Sequence, residues 1–479
     1  MKSLFKNSLY NIVYKLFMMA FPLVSSAYVS RILLPEGVGK VAYAQNIASY
    51  FITIAGLGVG SYGVREIGKN QKNQIQYSKT VVELLIITLI STFICSIIYY
   101  GMICSFPYFL SNRPLYCAVG IQLVLTAANV DWFYQGMEEY GYITARSLII
   151  KILTLLGIFV FVKSKNDLVP YALLSSIALA GNNIINVIHL KKYLVKFDIS
   201  KIELKQHIKP LLVLLSTGFA IELYTKLDTT TLGIFTSETC VGYYNYATKI
   251  TSIVVNLAAS VSTILLPRFS LYREQNRLDE LKKTIESAQS VILFIAIPSA
   301  IGIIIMAKDI ILFLFGEAFI PAAATVQILA VLVIIKSVGN LYGVQVLVAF
   351  GKEKTLFYTT VLGAVSNVLM NITLIPVFQQ NGAAIASVLS ELAVCVYQYI
   401  AAHRQINAKL DKRDLYKMII ATTVMAVIVY VIVHIVSNTI IAIIFSCLAG
   451  VGVYFIVTLL IHVKTSILIL NKIRSVLSL

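Results

Sequence analysis

Five lysines stand inside apolar runs of this 479-residue chain: Lys15, Lys151, Lys226, Lys249 and Lys336. All but Lys226 lack an Asp or Glu three or four residues away in the same run. A charge at mid-bilayer costs at least about 2.5–3.5 kcal/mol on insertion scales. Each lysine therefore needs a partner on another element, water, or an anion. Arg31 adds a cation at the end of the first run. The set describes a cationic cavity whose natural ligand is anionic.

The acids in apolar runs are Glu83, Asp131, Glu222, Asp228 and Glu391. Glu222 and Lys226 are spaced i,i+4 with the acid first, the favourable order for a helical ion pair. Mutual neutralisation and a gating or anion-contact role are both open to them. Asp228 lies nearly opposite Lys226 on a helix and is a candidate Na⁺ or H⁺ coupling site. Glu83 and Asp131 fall near inner ends and are expected to meet interfacial bases. His207 and the other histidines are expected at interfaces.

Uncharged polar residues add stripes. Asn245, Lys249, Ser252, Asn256, Ser260 and Thr263 recur at spacings of three and four, one face of a helix. Gln45, Ser49, Thr53, Gly56 and Gly60 form a similar row, as do Asn7, Asn11, Lys15, Pro22 and Ser25. Small polar residues of this kind also serve simply to join helices. The candidate substrate contacts are Lys15, Arg31, Gln45, Lys151, Lys226, Asn245, Lys249 and Asn256. No GxxxxGK[ST] loop, HExxH or metal-spaced His/Cys set occurs, and the six cysteines are scattered. No catalytic site, metal or cofactor is expected beyond the coupling ion, and the chain does not read as an enzyme.

The elements that position these residues follow from composition. The chain is 58% hydrophobic and 13% charged, against about 45–50% and 25% in soluble domains. About 20 apolar residues cross a hydrocarbon core. Fourteen candidate helices result: 8–33, 38–62, 80–104, 115–135, 141–163, 168–189, 210–235, 241–266, 284–307, 322–346, 355–378, 382–403, 417–436 and 440–463. With the N-terminus inside, 28 Lys and Arg fall in inner segments against 6 outside. That asymmetry places both termini in the cytoplasm. It also accounts for most of the net charge of +17 without a nucleic-acid partner. Lys15 interrupts the first run, so a cleaved signal peptide is not expected. The tail "TSILILNKIRSVLSL" is expected to be an amphipathic surface helix.

"VGKVAYAQNI" (38–47) matches "VGYYNYATKI" (241–250), and "YQGMEEY" (134–140) more weakly matches "AFGKEKT" (349–355). Two parallel six-helix repeats are implied: 1–200 and 201–410, with helices 13 and 14 and the tail in 411–479. The simplest way to hide the stripes is a central cavity lined by the first, second, seventh and eighth spans.

"AYVSRILLPEGVGKVAYAQNIASYF", "LGVGSYGVREIGK", "DWFYQGMEEY", "YTKLDTTTLGIFTSETCVGYYNYATKI", "LLPRFS" and "NVLMNITLIPVFQQNGAAIASVLSE" occur in that order across about residues 1–400. Together they resemble the Wzx-type polysaccharide flippases of the multidrug/oligosaccharidyl-lipid/polysaccharide exporter superfamily. The resemblance implies an all-α, V-shaped fold of the MATE kind, with two six-helix lobes and two appended helices. It implies transfer of undecaprenyl-diphosphate-linked oligosaccharide repeat units to the outer leaflet of a bacterial cytoplasmic membrane, for capsule or O-antigen assembly. Partners would be the lipid-linked glycan, membrane lipid and polymerase or glycosyltransferase machinery, with the protein a monomer. One departure is Leu34 in "RILLPEG", where the family more often has Gly. It is expected to alter the turn and little else. A cation-coupled drug antiporter and a peptidoglycan-precursor flippase are the alternatives. Acid-free residues 8–33, carrying Lys15 and Arg31, count against the first.

Overall fold

The computed structural model describes the backbone of residues 2–477 except 199, 201 and 264. It describes side chains from 21 to 471, apart from those three positions and 260, 261 and 263. In chain order the α-helices are α1 (Lys2–Gly56), α2 (Val59–Asn70), α3 (Gln74–Ser105), α4 (Pro107–Leu110), α5 (Arg113–Thr126), α6 (Asp131–Gly136), α7 (Tyr140–Phe161), α8 (Leu168–Ala180), α9 (Asn182–Leu190) and α10 (Lys205–Phe235). Then come α11 (Glu238–Thr263), α12 (Leu266–Glu274), α13 (Leu278–Phe315), α14 (Ala322–Ala330), α15 (Leu332–Gly339), α16 (Glu353–His403), α17 (Lys412–Ile435), α18 (Thr439–Leu460) and α19 (Lys464–Leu477). A π-helical stretch, Asn340–Leu347, continues α15. No strand occurs among the described residues. The protein is an all-helical, multi-pass membrane protein. Among the described residues, ten helical segments are long and apolar enough to cross a bilayer.

Two of these segments bend sharply, each for a local reason. In α1 the bend is Leu34, at φ 59 and ψ 174, just before Pro35. Proline disfavours the α conformation in the residue before it. In α16 it is Gln379, at φ 51 and ψ −130, three residues past Pro376. The chain then doubles back so closely that a Cβ on Gly382 would overlap the Leu374 carbonyl. The expected boundaries at 33/38 and 378/382 thus fall on real bends. The expected segment 115–135 is instead two helices, α5 and α6. Between them Asn129 accepts from the Asp131 amide (3.2 Å), and its carbonyl accepts from Trp132 Nε1 (3.0 Å). These bonds favour a turn over continued helix.

The chain forms two compact units, Met1–Thr230 and Thr231–Leu479, with the division inside α10. In the first unit, Ala44, Ala48 and Ala55 of α1 meet Tyr99, Val119, Leu123 and Ala172 of α3, α5 and α8. Small residues let membrane helices approach closely. A second cluster joins Ile67, Val81, Leu84, Phe133, Tyr134 and Leu211. Here a Cβ on Gly63 would overlap the ring of Trp132, the chain's one tryptophan.

In the second unit, Phe269, Ile285, Tyr342, Val346 and Ala402 form one core. Phe294, Met418, Met425 and Tyr454 form another, joining α13 to α17 and α18. The π stretch is held from within by Asn340 Oδ1, which accepts from Ser262 Oγ (2.6 Å) and Gln345 Nε2 (3.3 Å). The start of α19 is anchored: Lys464 Nζ pairs with Asp411 Oδ2 at 2.6 Å, and its amide donates to Asp414 Oδ2. The Lys464 ammonium and then the Asp414 and Arg413 amides hold the Asp411 carboxyl below the usual carboxylate range, and Asp411 in turn raises Lys464.

Candidate functional site

The polar residues of α1 and α10 meet inside the first unit. Thr230 Oγ1 accepts from Asn46 Nδ2 at 2.7 Å and lies 2.7 Å from the Tyr50 hydroxyl. Asn46 is buried and Tyr50 half-buried. Gln45, one residue along, donates from Nε2 to Ser175 Oγ of α8 at 2.9 Å. Gln45 therefore braces α1 against α8, while Asn46 and Tyr50 join α1 to Thr230 of α10.

Glu222, Lys226 and Asp228 are each half-buried on α10. Among the described ion pairs there is none between Glu222 and Lys226, despite their spacing. The Tyr50 hydroxyl lies within electrostatic reach of both Glu222 and Asp228. Arg31 is exposed, and its Nη1 donates to the Ala27 carbonyl at 2.6 Å. Lys151 is half-buried on α7, its ammonium 5.3 Å from the Phe21 ring centroid on α1. Lys15 lies outside the described side chains.

In the second unit, Lys249 is half-buried with its ammonium 4.5 Å from the Tyr246 ring. Tyr246 is fully buried and stacks on Phe319 at 4.8 Å, with Phe315 at 4.3 Å. A ring face steadies an ammonium through its quadrupole without supplying an opposite charge. Asn245 is half-buried and Asn256 exposed on the same helix. Lys336 has a different role: it pairs with Glu391 of α16 at 2.9 Å. Its partner is on another helix, one of the outcomes open to a lysine in an apolar run.

Glu83 and Asp131 each meet a base, as expected: Lys79 for the first and Arg146 for the second. Asp131 Oδ1 accepts from Arg146 Nη2 at 2.9 Å and from Asn186 Nδ2. Glu83 is 1% exposed and receives His207 Nε2 (2.9 Å) and the Glu203 amide (2.7 Å), with Lys79 at 3.7 Å. His207, near the start of α10, is itself only 5% exposed. The i,i+4 spacing of Lys79 and Glu83 was the one signal in the sequence, and it does not indicate the histidine.

A family model described as "Polysaccharide biosynthesis protein" matches residues 4–272, and one described as "Lipid II flippase MurJ" matches 142–450. A Haloferax volcanii protein described as a probable flippase is 31% identical over 169 residues, 35% of this chain and 35% of its own. An Escherichia coli K12 protein named for O-antigen transport is 25% identical over 78% of this chain and 90% of its own. In fold, the chain resembles a lipid II flippase MurJ in an inward closed conformation, with TM-score 0.75 and 16% identity over 95% of this chain and 98% of that one. It also resembles an inward-facing multidrug MATE transporter of the MOP superfamily, with TM-score 0.61 and 14% identity over 81% and 94%. These likenesses show a MurJ- and MATE-like fold. The first family model spans more than half of the chain, which therefore belongs to the polysaccharide biosynthesis protein family, in keeping with its Wzx-type motifs.

Proposed function

We propose that the protein is a flippase that carries undecaprenyl-diphosphate-linked oligosaccharide repeat units from the inner to the outer leaflet by alternating access. Similarity over 78% of this chain to a protein named for O-antigen transport supports the substrate class. The observation that carries the chemistry is Lys249, a half-buried ammonium held on an aromatic face within a membrane helix. An ammonium in a membrane helix is of the right charge to meet a diphosphate, and the ring offsets part of its desolvation. Lys226, Lys151, Arg31 and Lys15 are the further anion contacts, and Gln45, Asn245 and Asn256 the glycan contacts. Glu222 and Asp228 are the proposed coupling or gating carboxylates, for Na⁺ or H⁺. The setting is the bacterial cytoplasmic membrane, with both termini inside, a monomeric flippase, and a polymerase receiving the product.

The test is complementation of a strain deleted for this gene. Lys249→Ala should abolish glycan export at normal protein abundance, with the lipid-linked glycan accumulating in the inner leaflet. Full export by that variant removes Lys249 from the mechanism. Accumulation of peptidoglycan precursor in the deletion strain would instead favour the reading suggested by the MurJ family match.

A further inference from the structure

One buried cluster plays no part in that reading: Tyr62 of α2, Glu83 of α3 and His207 at the start of α10. Tyr62 OH lies 2.8 Å from His207 Nδ1, and Glu83 Oε2 lies 2.9 Å from Nε2. The imidazole is thus held at both nitrogens by groups of opposite adaptability. Glu83 accepts from the Glu203 amide and lies beside Lys79, so donors surround it and its Oε2 stands as an acceptor toward the ring. That fixes a proton on Nε2. Nδ1 faces a hydroxyl, which can donate or accept. With Nδ1 bare, Tyr62 donates to it. With Nδ1 protonated, the new N–H donates to the Tyr62 oxygen and the hydroxyl hydrogen turns away. Neither state leaves an imidazole nitrogen without a partner, so proton uptake costs the site no hydrogen bond to the ring.

We propose that His207 is a buried, exchangeable proton site whose charge sets how firmly the start of α10 is fastened to α2 and α3. The step balances simply: hydronium or a buffer acid gives a proton to the Nδ1 lone pair, one N–H bond forms, and no protein bond breaks. The imidazolium then faces the Glu83 carboxylate at hydrogen-bond distance and gains its full Coulomb attraction. The neutral ring keeps only the hydrogen bond. Acidification therefore tightens the fastening and alkalinisation loosens it.

The surrounding charges are mixed. From α2 they are Arg65, 5.2 Å over the Tyr62 ring, with Glu66 paired to Arg65 and Lys69. From α3 they are Lys79 and Glu83, from the preceding linker Glu203, and from α10 itself Lys205 and Lys209. Glu83 is the carboxylate in contact with the ring. α10 also carries Glu222, Lys226 and Asp228, so a proton bound at its start acts on the helix that bears the proposed coupling residues. That last link rests on the flippase reading, whereas the proton site does not.

Trp132 provides the measurement, because it packs against Gly63 beside Tyr62 in the same cluster. Its emission would be recorded from purified full-length protein in lipid nanodiscs between about pH 5 and 9, the range a histidine spans. The expected result is a one-proton transition, with about four-fifths of the change falling within two pH units. It should vanish in His207→Gln and move to lower pH in Glu83→Gln, which keeps the shape but removes the counter-charge. It should persist in His189→Gln and in His434→Gln, the latter at an exposed position. Flat emission from the wild type overturns the proposal, and so does a transition that survives in His207→Gln. If His207→Gln fails to fold, an unmoved midpoint in Glu83→Gln is the overturning result. This readout needs no substrate, so failure of the flippase reading leaves it standing.

Discussion

Leu34 gives a prediction whose sign is the reverse of ordinary helix behaviour. Its φ of 59 and ψ of 174 belong to a region that glycine occupies readily and a side-chain-bearing residue occupies at a cost of about 1–3 kcal/mol. The informative comparison is Leu34→Gly against Leu34→Ala. Both variants lose the leucine side chain, which is 42% exposed, so that loss cancels between them. What differs is the backbone. Alanine keeps the strain, and glycine releases it but has the freer unfolded chain, worth about 0.5–1 kcal/mol. The glycine variant should therefore be the more stable by about 1 kcal/mol, whereas within a regular helix alanine leads by about that amount. Leu33 supplies the contrast, since it is 2% exposed and lies before the bend. Leu33→Gly should be less stable than Leu33→Ala. In a chain this long, 1 kcal/mol shifts a melting temperature by only about 1 °C. Isothermal unfolding in mixed micelles, followed by Trp132 fluorescence, is the better assay. If Leu34→Ala proves as stable as Leu34→Gly or more so, the backbone at the bend is not strained and the reasoning fails.

Breaking the Lys336–Glu391 pair by Lys336→Met should cost about 3 kcal/mol, the low end for a buried pair because the lysine is 40% exposed. Adding Glu391→Leu should recover most of that loss with export retained, and additive losses in the unfolding titration would show that the pair is not coupled. Gly382→Ala places a methyl on the Leu374 carbonyl. It should cost about 1–3 kcal/mol, seen as lower abundance in membranes, while Gly452→Ala, where a Cβ meets nothing, should be close to neutral. The Asp411 carboxyl is held low in the folded protein, so its contribution is complete above the unfolded value and is lost as pH falls through the folded one. Pepsin, which is active in that range, should therefore cut within α19 faster as pH drops below about 4. Lys464→Gln should remove that dependence.

Much of this architecture can be read from the order of residues, because a bilayer leaves few options. Apolar runs and basic loops mark the helices, and the Pro35 and Pro376 bends fall between expected spans. The seventh span does meet α1 at Thr230, although through Asn46 and Tyr50, while Gln45 of the expected row turns to α8 instead. What could not be read is which charges find each other. Lys336 and Glu391 lie 55 positions apart, and Glu83 and His207 lie 124 apart. No periodicity within one helix encodes such a meeting. Glu222 and Lys226 show the converse, since favourable spacing alone does not close a pair. The break after Thr126 was missed because Asn129 ends the helix with hydrogen bonds, while the hydropathy stays high across it.

The π stretch at Asn340–Leu347 bears on how this helix tolerates change in length. A π turn holds one residue more than an α turn, so the segment amounts to a local insertion absorbed within the membrane. Deleting a single residue there would let the chain relax to α-helix, and the residues beyond would stay near their original bearing, because the wide turn had already taken up the extra residue. The contacts inside the stretch would go: Gln345 would leave Asn340, and Tyr342 would give up its bond to Gln289 (2.9 Å). Lys336, before the stretch, would keep its bearing toward Glu391. Natural chains shorter by one residue at this place should therefore preserve the ion pair and the flanking helix, and diverge only within the stretch itself.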